Sequence, residues 1–454
     1  MNPKIENIEK KSNVMRFRLS GVNVSLANAL RRTVLSDIET VVFKTSPYEE
    51  NRATIISNTS RLNNEVIKQR LSCVPIHIDD LNMPFQNLIM EVNEVNNTDS
   101  IMYVTTEHFK IKDKTTQKYL SETDTRNIFP PNPDTNYYID LVRLRPKISD
   151  ELPGEKLNMT CDFTLGTCKE DGMFNVVSTC AYGFTQDDGL VQSELEKKLQ
   201  TWRDAGMKKQ EIEFEKKNWM LLDALRLTMK DSFEFIIETV GVFSCKQLMI
   251  QACDVLIKRL YELNDVIESN TLKIEPSQNT MANCYDITLE NEDYTIGKII
   301  EFMLHALFYE TGENNKRLGK EKRGLYKNEM LKQKVMKHNA NPENTQKLFN
   351  PESPDMPPPL LRRSELPISS SSSSPEEQAD QKSKFTAKTP EADDMYLTYC
   401  GFKKFHPHDS HSIIRVASKN PTNPHIISMN LQLCISESIK VYTTIKDAFL
   451  QIRS

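Results

Sequence analysis

No stretch of this 454-residue sequence approaches 18 consecutive apolar residues, so no segment has the length of a membrane-spanning helix. The opening residues, Met1 to Lys11, are polar and charged and lack the apolar centre of a secretory signal; an intracellular protein with no membrane attachment is expected. Close cysteine pairs are also missing. Cys73, Cys161, Cys168, Cys180, Cys245, Cys253, Cys284, Cys400 and Cys434 are scattered and odd in number, with no C-x-x-C among them. A structural zinc site usually draws on two close ligand pairs, so reduced, buried thiols and no zinc or other cofactor are expected. The catalytic signatures H-E-x-x-H, G-x-S-x-G and D-x-D-x-D do not occur. Gly312 and Gly319-Lys320 faintly resemble a phosphate loop. Their glycines are too far apart, however, and Glu321 stands where a magnesium-binding Ser or Thr belongs. A net basic balance is absent as well: 58 Lys and Arg face 63 Asp and Glu, a formal charge of -5. That favours protein partners over a nucleic-acid footprint. One cluster, His406, His408, Asp409 and His411, has the residue types of a metal site, but its spacing fits no common one; a solvated loop is the other reading.

What is present is periodicity. The length points to two to four domains. Residues 14–20 alternate as a strand, and Ser25 is placed to cap the helix that follows. In that helix Leu26, Leu30, Val34 and Ile38 form one apolar stripe, which Arg31 and Arg32 leave. A strand is expected at 40–43. A second helical stretch ends at Pro75, with Leu62, Val66 and Leu71 on one face, and Ile76 and Ile78 open another strand. Short alternating runs broken by Pro and Asn fill 80–175, a β-rich insertion. Residues 190–230 are charged, with Leu195, Leu199 and Trp202 at the spacing of surface helices. A strong strand at 233–242 precedes Ser244 and Gln247, which match a capping box, and an amphipathic helix carrying Leu248, Ala252, Leu256, Leu260 and Leu263.

Beyond a polar linker at 269–280 a second small unit begins. Tyr285, Ile287 and Leu289 alternate, and Asp293 caps a helix bearing Ile296, Ile300, Met303, Leu304 and Leu307. Residues 312–392 are rich in Lys, Glu, Asn, Pro and Ser, too polar to offset their ordering entropy by burial, and are expected to be disordered, apart from a possible charged helix at 320–337. Order resumes near Met395 with a strand at 413–416. A last helix follows, whose stripe Leu431, Ile435, Ile439, Tyr442, Ile445, Phe449 and Ile452 calls for a helix against it.

Two signatures stand out. The run Leu19-Ser20-Gly21-Val22-Asn23-Val24-Ser25-Leu26-Ala27-Asn28-Ala29-Leu30-Arg31-Arg32, continued by Asn58-Thr59-Ser60, Glu65, Arg70 and Pro75 and closed by Phe235 to Gly241, resembles the alpha-like, third-largest subunit of multisubunit RNA polymerases. The pair Glu292-Asp293-Tyr294-Thr295-Ile296-Gly297 and Gly401-Phe402-Lys403 with His406-Pro407 resembles its small, eleventh-type dimerisation partner. Both lie on one chain.

The resemblance implies an α+β fold of two alpha-like dimerisation units. The first comprises 1–50 and 175–268, with 51–174 as its inserted β-rich domain. The second comprises 281–311 and 393–454, split by the low-complexity segment 312–392. It implies a non-catalytic assembly role, with the two units paired within the chain and scaffolding the largest and second-largest catalytic subunits beside a small tenth-type subunit. Interface roles then fall on Asn28, Arg31, Arg32, Glu65, Arg70, Glu292, Asp293, Thr295, Gly297, His406, Pro407, Ile435, Ile439 and Tyr442. Arg31 and Arg32 have two readings, a docking face for the second-largest subunit or an internal salt bridge. Fusion is unusual in cells and fits a large cytoplasmic DNA virus, with work in the host cytoplasm and packaging in the virion; a cellular version would be nuclear. A free-standing interaction scaffold is the alternative function.

Overall fold

The computed structural model describes residues 1–147, 149, 153–309 and 397–452. The first unit opens with β1 (Lys4–Lys11), β2 (Val14–Ser20) and α1 (Val24–Ser36). Met15, Phe17 and Leu19 alternate inward from β2, and Phe17 stacks on Phe235 with ring centroids 5.2 Å apart. Ser25 is not the cap of α1. Asn23 is: its Oδ1 accepts the Ser25 N–H at 2.9 Å. Gly21 explains the shift. It turns the chain at φ +74, and a Cβ there would lie 2.2 Å from the Asn2 carbonyl oxygen, so the helix starts as soon as the turn is complete.

An inserted domain follows, formed by β3 (Glu39–Val42), β4 (Ala53–Asn58), α2 (Asn64–Ser72), β5 (Leu88–Val95), β6 (Met102–Thr105), β7 (Lys110–Asp113), α3 (Glu122–Ile128), β8 (Asp140–Leu144), β9 (Lys156–Asp162) and β10 (Thr164–Thr167). Its sheets run β4-β9-β5-β7, β6-β8 and β10-β3. The boundary expected near residue 50 therefore moves back to about 39, because β3 pairs with β10 and Val41 and Phe43 lie in this domain's own core. In α2 the buried face is Ile67 and Leu71, one true helical repeat apart, while Val66 is 37% exposed. Ile76 and Ile78 are buried but form no strand; the His77 N–H reaches the Ile128 carbonyl and the Ile78 N–H the Ile76 carbonyl.

The chain returns to the first sheet through β11 (Val177–Gln186), leaves it for a hairpin of α4 (Asp188–Asp204) and α5 (Lys209–Leu221), and returns again in β12 (Thr228–Thr239). The hairpin keeps a small core of its own around Val191, Leu195 and Trp219. The completed antiparallel sheet is ordered β1-β2-β12-β11. Behind it runs α6 (Cys245–Glu268), started by the Ser244–Gln247 capping box.

The second unit repeats this plan. It contains β13 (Lys273–Pro276), β14 (Cys284–Glu290), α7 (Tyr294–Phe308), β15 (Leu397–Lys403), β16 (His411–Ser418) and α8 (Pro424–Gln451). Its sheet is ordered β13-β14-β16-β15, strand for strand the order of the first. The expected linker at 269–280 thus contains a strand: Lys273 to Pro276 pair with Thr288 to Tyr285. A polar edge strand needs no apolar alternation, which hid it in the sequence. Residues 312–392 and the helix expected at 320–337 lie outside the described residues; the segment's flanks meet in a bridge between Tyr309 and Leu397. One hydrophobic core runs through both units and holds Leu26 and Leu30 of α1, Leu256 of α6, Ile300 of α7 and Ile445 of α8.

Candidate functional site

Where the two units meet, α6 and α8 lie antiparallel. The Lys246 ammonium at the start of α6 donates to the Ile452 carbonyl at 2.6 Å, and Lys446 of α8 pairs with Asp254 at 2.5 Å. The stripe of α8 thus finds its helix. Ile435 and Tyr442 are buried, and Ile439 is partly buried against the shared core. Tyr442 donates its hydroxyl to the Leu26 carbonyl of α1 at 3.3 Å, and burial pushes its pKa well above the usual tyrosine value. Phe449 packs edge-on against Phe17, 5.2 Å between centroids.

Beside this apolar seam lies an ion cluster. Arg32 of α1 donates Nη2 to Asp293 at 2.6 Å and Nε to the Thr295 hydroxyl at 2.9 Å. Arg259 of α6 reaches Glu292 at 2.5 Å and Asp37, the C-cap of α1, at 3.1 Å. The side chains of Arg259, Asp37 and Glu292 are only 15%, 13% and 16% exposed. Burial opposes charge on Arg259 and Glu292. For Arg259, the attraction of Glu292, Asp37 and Asp293 outweighs burial and raises the guanidinium pKa. For Glu292, burial together with the neighbouring Asp293 prevails over Arg259 and pushes the carboxyl up. Asp293 resists the same burial because it caps α7: the Thr295 N–H and hydroxyl, Arg32 and Arg259 together hold its pKa below the usual range.

The two halves of the second signature also meet. A Cβ on Gly297 would lie 2.0 Å from the Phe402 ring, so glycine lets that ring sit directly on α7. Tyr294 closes on Phe402 edge-on at 5.1 Å.

The other expected interface residues divide. Arg32 makes an ion pair within the chain, the internal salt bridge of its two readings. Arg31 stays half-buried on the first unit, and its Nε donates to the Asn28 side chain at 2.9 Å. Arg70 is tied down inside the inserted domain, donating to the Leu141 and Asp140 carbonyls, while Glu65 is exposed in the first turn of α2. His406 and Pro407 lie exposed at the β15–β16 turn. There Asp409 accepts the His406 N–H, and the His406 and His408 rings lie 5.3 Å apart. Among the described residues no three His, Cys, Asp or Glu side chains come together as a metal site.

Sequence reasoning missed Arg259 and Asp37. A signal existed for the first: Arg259 sits three residues after Leu256 and four before Leu263, a charge at the edge of an apolar stripe. Such a residue is paired or costly.

The sequence model of the RNA polymerase Rpb3/Rpb11 dimerisation domain matches residues 16–260, more than half of the chain. The chain is 26% identical over 193 residues to a DNA-directed RNA polymerases I and III subunit rpac1 of Dictyostelium discoideum, covering 40% of this chain and 52% of the relative. It is 25% identical over 201 residues to DNA-directed RNA polymerase subunit Rpo3 of Picrophilus torridus, covering 42% and 68%. Over 312 residues it is 22% identical to the RPAC1 subunit of Bos taurus, covering 59% and 85%. The match thus spans about half the length of the slime-mould relative and more of the other two. The helix signature, the sheet it follows and the matched domain agree: the chain belongs to the Rpb3/Rpb11 dimerisation-domain family of RNA polymerase.

Proposed function

We propose that this chain is a non-catalytic assembly subunit of a DNA-dependent RNA polymerase in which a third-largest-type unit, with the inserted β domain in its course, and an eleventh-type unit are fused and pair within one polypeptide. The observation that carries the reading is the meeting of the two signatures: Arg32 of the first grips Asp293 and Thr295 of the second. On this reading the pair scaffolds the largest and second-largest catalytic subunits and a tenth-type small subunit, and touches DNA only through them. The half-buried Asn28–Arg31 face of α1 then docks the second-largest subunit. Arginine suits such a face, since its fork of donors matches carboxylates and backbone carbonyls. The fusion fits a compacted viral enzyme working in a host cytoplasm.

The test is co-purification of the full chain from the cells in which it works. Both large subunits are expected to accompany it in equal stoichiometry, and a chain recovered alone would instead be a free-standing scaffold. Arg31→Ala removes a hydrogen-bonded charge from the docking face. Its loss is expected to cost about 2–5 kcal/mol, lowering affinity on the order of a hundredfold with the fold intact. Normal assembly by a folded Arg31→Ala chain would move the docking face elsewhere.

A further inference from the structure

The two units share one strand order, so their helices can be compared position by position. Counted from the caps Asn23 and Asp293, Ser25 matches Thr295, Ala27 matches Gly297 and Arg32 matches Phe302. Counted from Ser244 and Asn423, Arg259 of α6 matches Ser438 of α8. The ion cluster is therefore divided between the units: the first supplies Arg32, Arg259 and Asp37, and the second Glu292 and Asp293.

Arg32 meets Asp293 because the far part of α1 lies against the start of α7. The same arrangement between two first units would set Arg32 against Asn23 and Ser25, with no carboxylate at the cap. Between two second units, Asp293 would face Phe302, and Glu292 would lose Arg259 to a serine. Half-buried charges would be left without partners in either like pair, and such losses are what separate a right partner from a wrong one. The apolar seam does not discriminate in this way, since both units offer aliphatic stripes.

We infer that the cluster of Arg32, Asp37, Arg259, Glu292 and Asp293 is a pairing-specificity device: it selects the unlike partner and rejects a like unit from a second copy of this chain. The inference rests on the reading of the two units as a dimerisation pair. Its test measures pairing alone and needs no polymerase subunit, so the two can fail separately.

The full chain is made with a specific protease site replacing residues 269–272. Two preparations, differently tagged on the first half, are checked for folding by circular dichroism, cut, mixed, unfolded in urea and refolded together. Native mass spectrometry then counts first-half pairs that carry both tags. The parent chain is expected to form unlike pairs alone. Arg32→Phe combined with Asp293→Asn erases the asymmetry and is expected to raise like pairs at least about tenfold. Arg32→Asp combined with Asp293→Arg keeps it and is expected to restore unlike pairing. Like pairs in statistical proportion in the parent, or unlike pairs alone in the Phe/Asn variant, would overturn the inference. Uncut chains refolded together give the second reading should the halves not refold. The parent stays monomeric while the Phe/Asn variant forms concentration-dependent dimers by sedimentation, and monomers for both would overturn the inference equally.

Discussion

The first and second units run through the same course, two strands, a helix, an insertion, two strands and a helix, yet spend their side chains differently at the junction. In the first, α1 carries cations on its far turns and its cap is a neutral asparagine. In the second, α7 opens on two carboxylates, and its far turns carry phenylalanine and methionine. The fold depends on what the units share: inward alternation on the strands, a side-chain cap at each helix start and a small residue where the helix meets its neighbour. Partner choice depends on what they do not share. The insertion after α1 folds as a β domain with its own core, and the residues that flank the one after α7, Tyr309 and Leu397, meet in a bridge.

The largest expected effect tests whether the shared core is one structure. Leu30→Asp places a carboxylate at a fully buried position of α1, and its counterpart Ile300→Asp does so in α7. Burying an unpaired charge costs more than a typical domain can spare, so either change is expected to unfold both units together in one thermal transition. Two separate transitions would show the units to be energetically independent. Next comes Arg259→Ala. Removing one partner from a buried pair costs about 3–5 kcal/mol because the remaining charges stay buried. The loss is read from urea midpoints at unchanged slope. Its counterpart Ser438→Ala, at a position bonded only to its own helix, is expected to shift the midpoint far less.

A smaller effect separates the matched small residues. Gly297→Ala drives a methyl into the Phe402 ring and is expected to destabilise by about 1–3 kcal/mol, although alanine is the better helix former. Gly297→Ala with Phe402→Leu should recover part of the loss, and an unaffected single variant would mean the ring can move aside. The smallest effect should follow replacement of residues 312–392 by a short Gly/Ser tether. Since the flanks already meet, the melting temperature is expected to hold within about 2 °C.

Acidity adds a last comparison. Arg415 holds Asp286 below the usual carboxylate range, and Asp293 is held low by the contacts of its cap. A depressed carboxylate contributes stability that is fully present above its unfolded value, near 3.8, and is lost as pH falls through the lower folded value. Acid melts below pH 3.8 should therefore lose stability more steeply in the parent than in Asp286→Asn or Asp293→Asn chains.

Much of this was legible in the sequence because it is local. The Ser244–Gln247 box, the Asp293 cap and the α8 stripe each depend on residues within a turn or two of one another, and each formed as read. What escaped depends on distance or on the absence of a pattern. The start of α1 moved because a glycine turn, not the nearest serine, sets it. Strand β13 carries no apolar alternation, since its stability comes from the ladder with β14. Arg259 reads as one more surface charge until the fold brings Asp37, 222 positions away, to its guanidinium.

The order of elements along the chain has a consequence for synthesis. The helix that covers α6, α8, begins more than 150 residues after α6 ends. At roughly 5–20 residues per second, a ribosome needs on the order of ten seconds or more to make that stretch. Throughout that interval the first unit is complete but bare along the faces of α1 and α6 that α8 will bury. Apolar surface left exposed in this way makes a partly made chain prone to wrong association. It is also open to any free α8-like helix in the cell, and the short connection at 269–272 brings the correct partner back only once its last helix has been made.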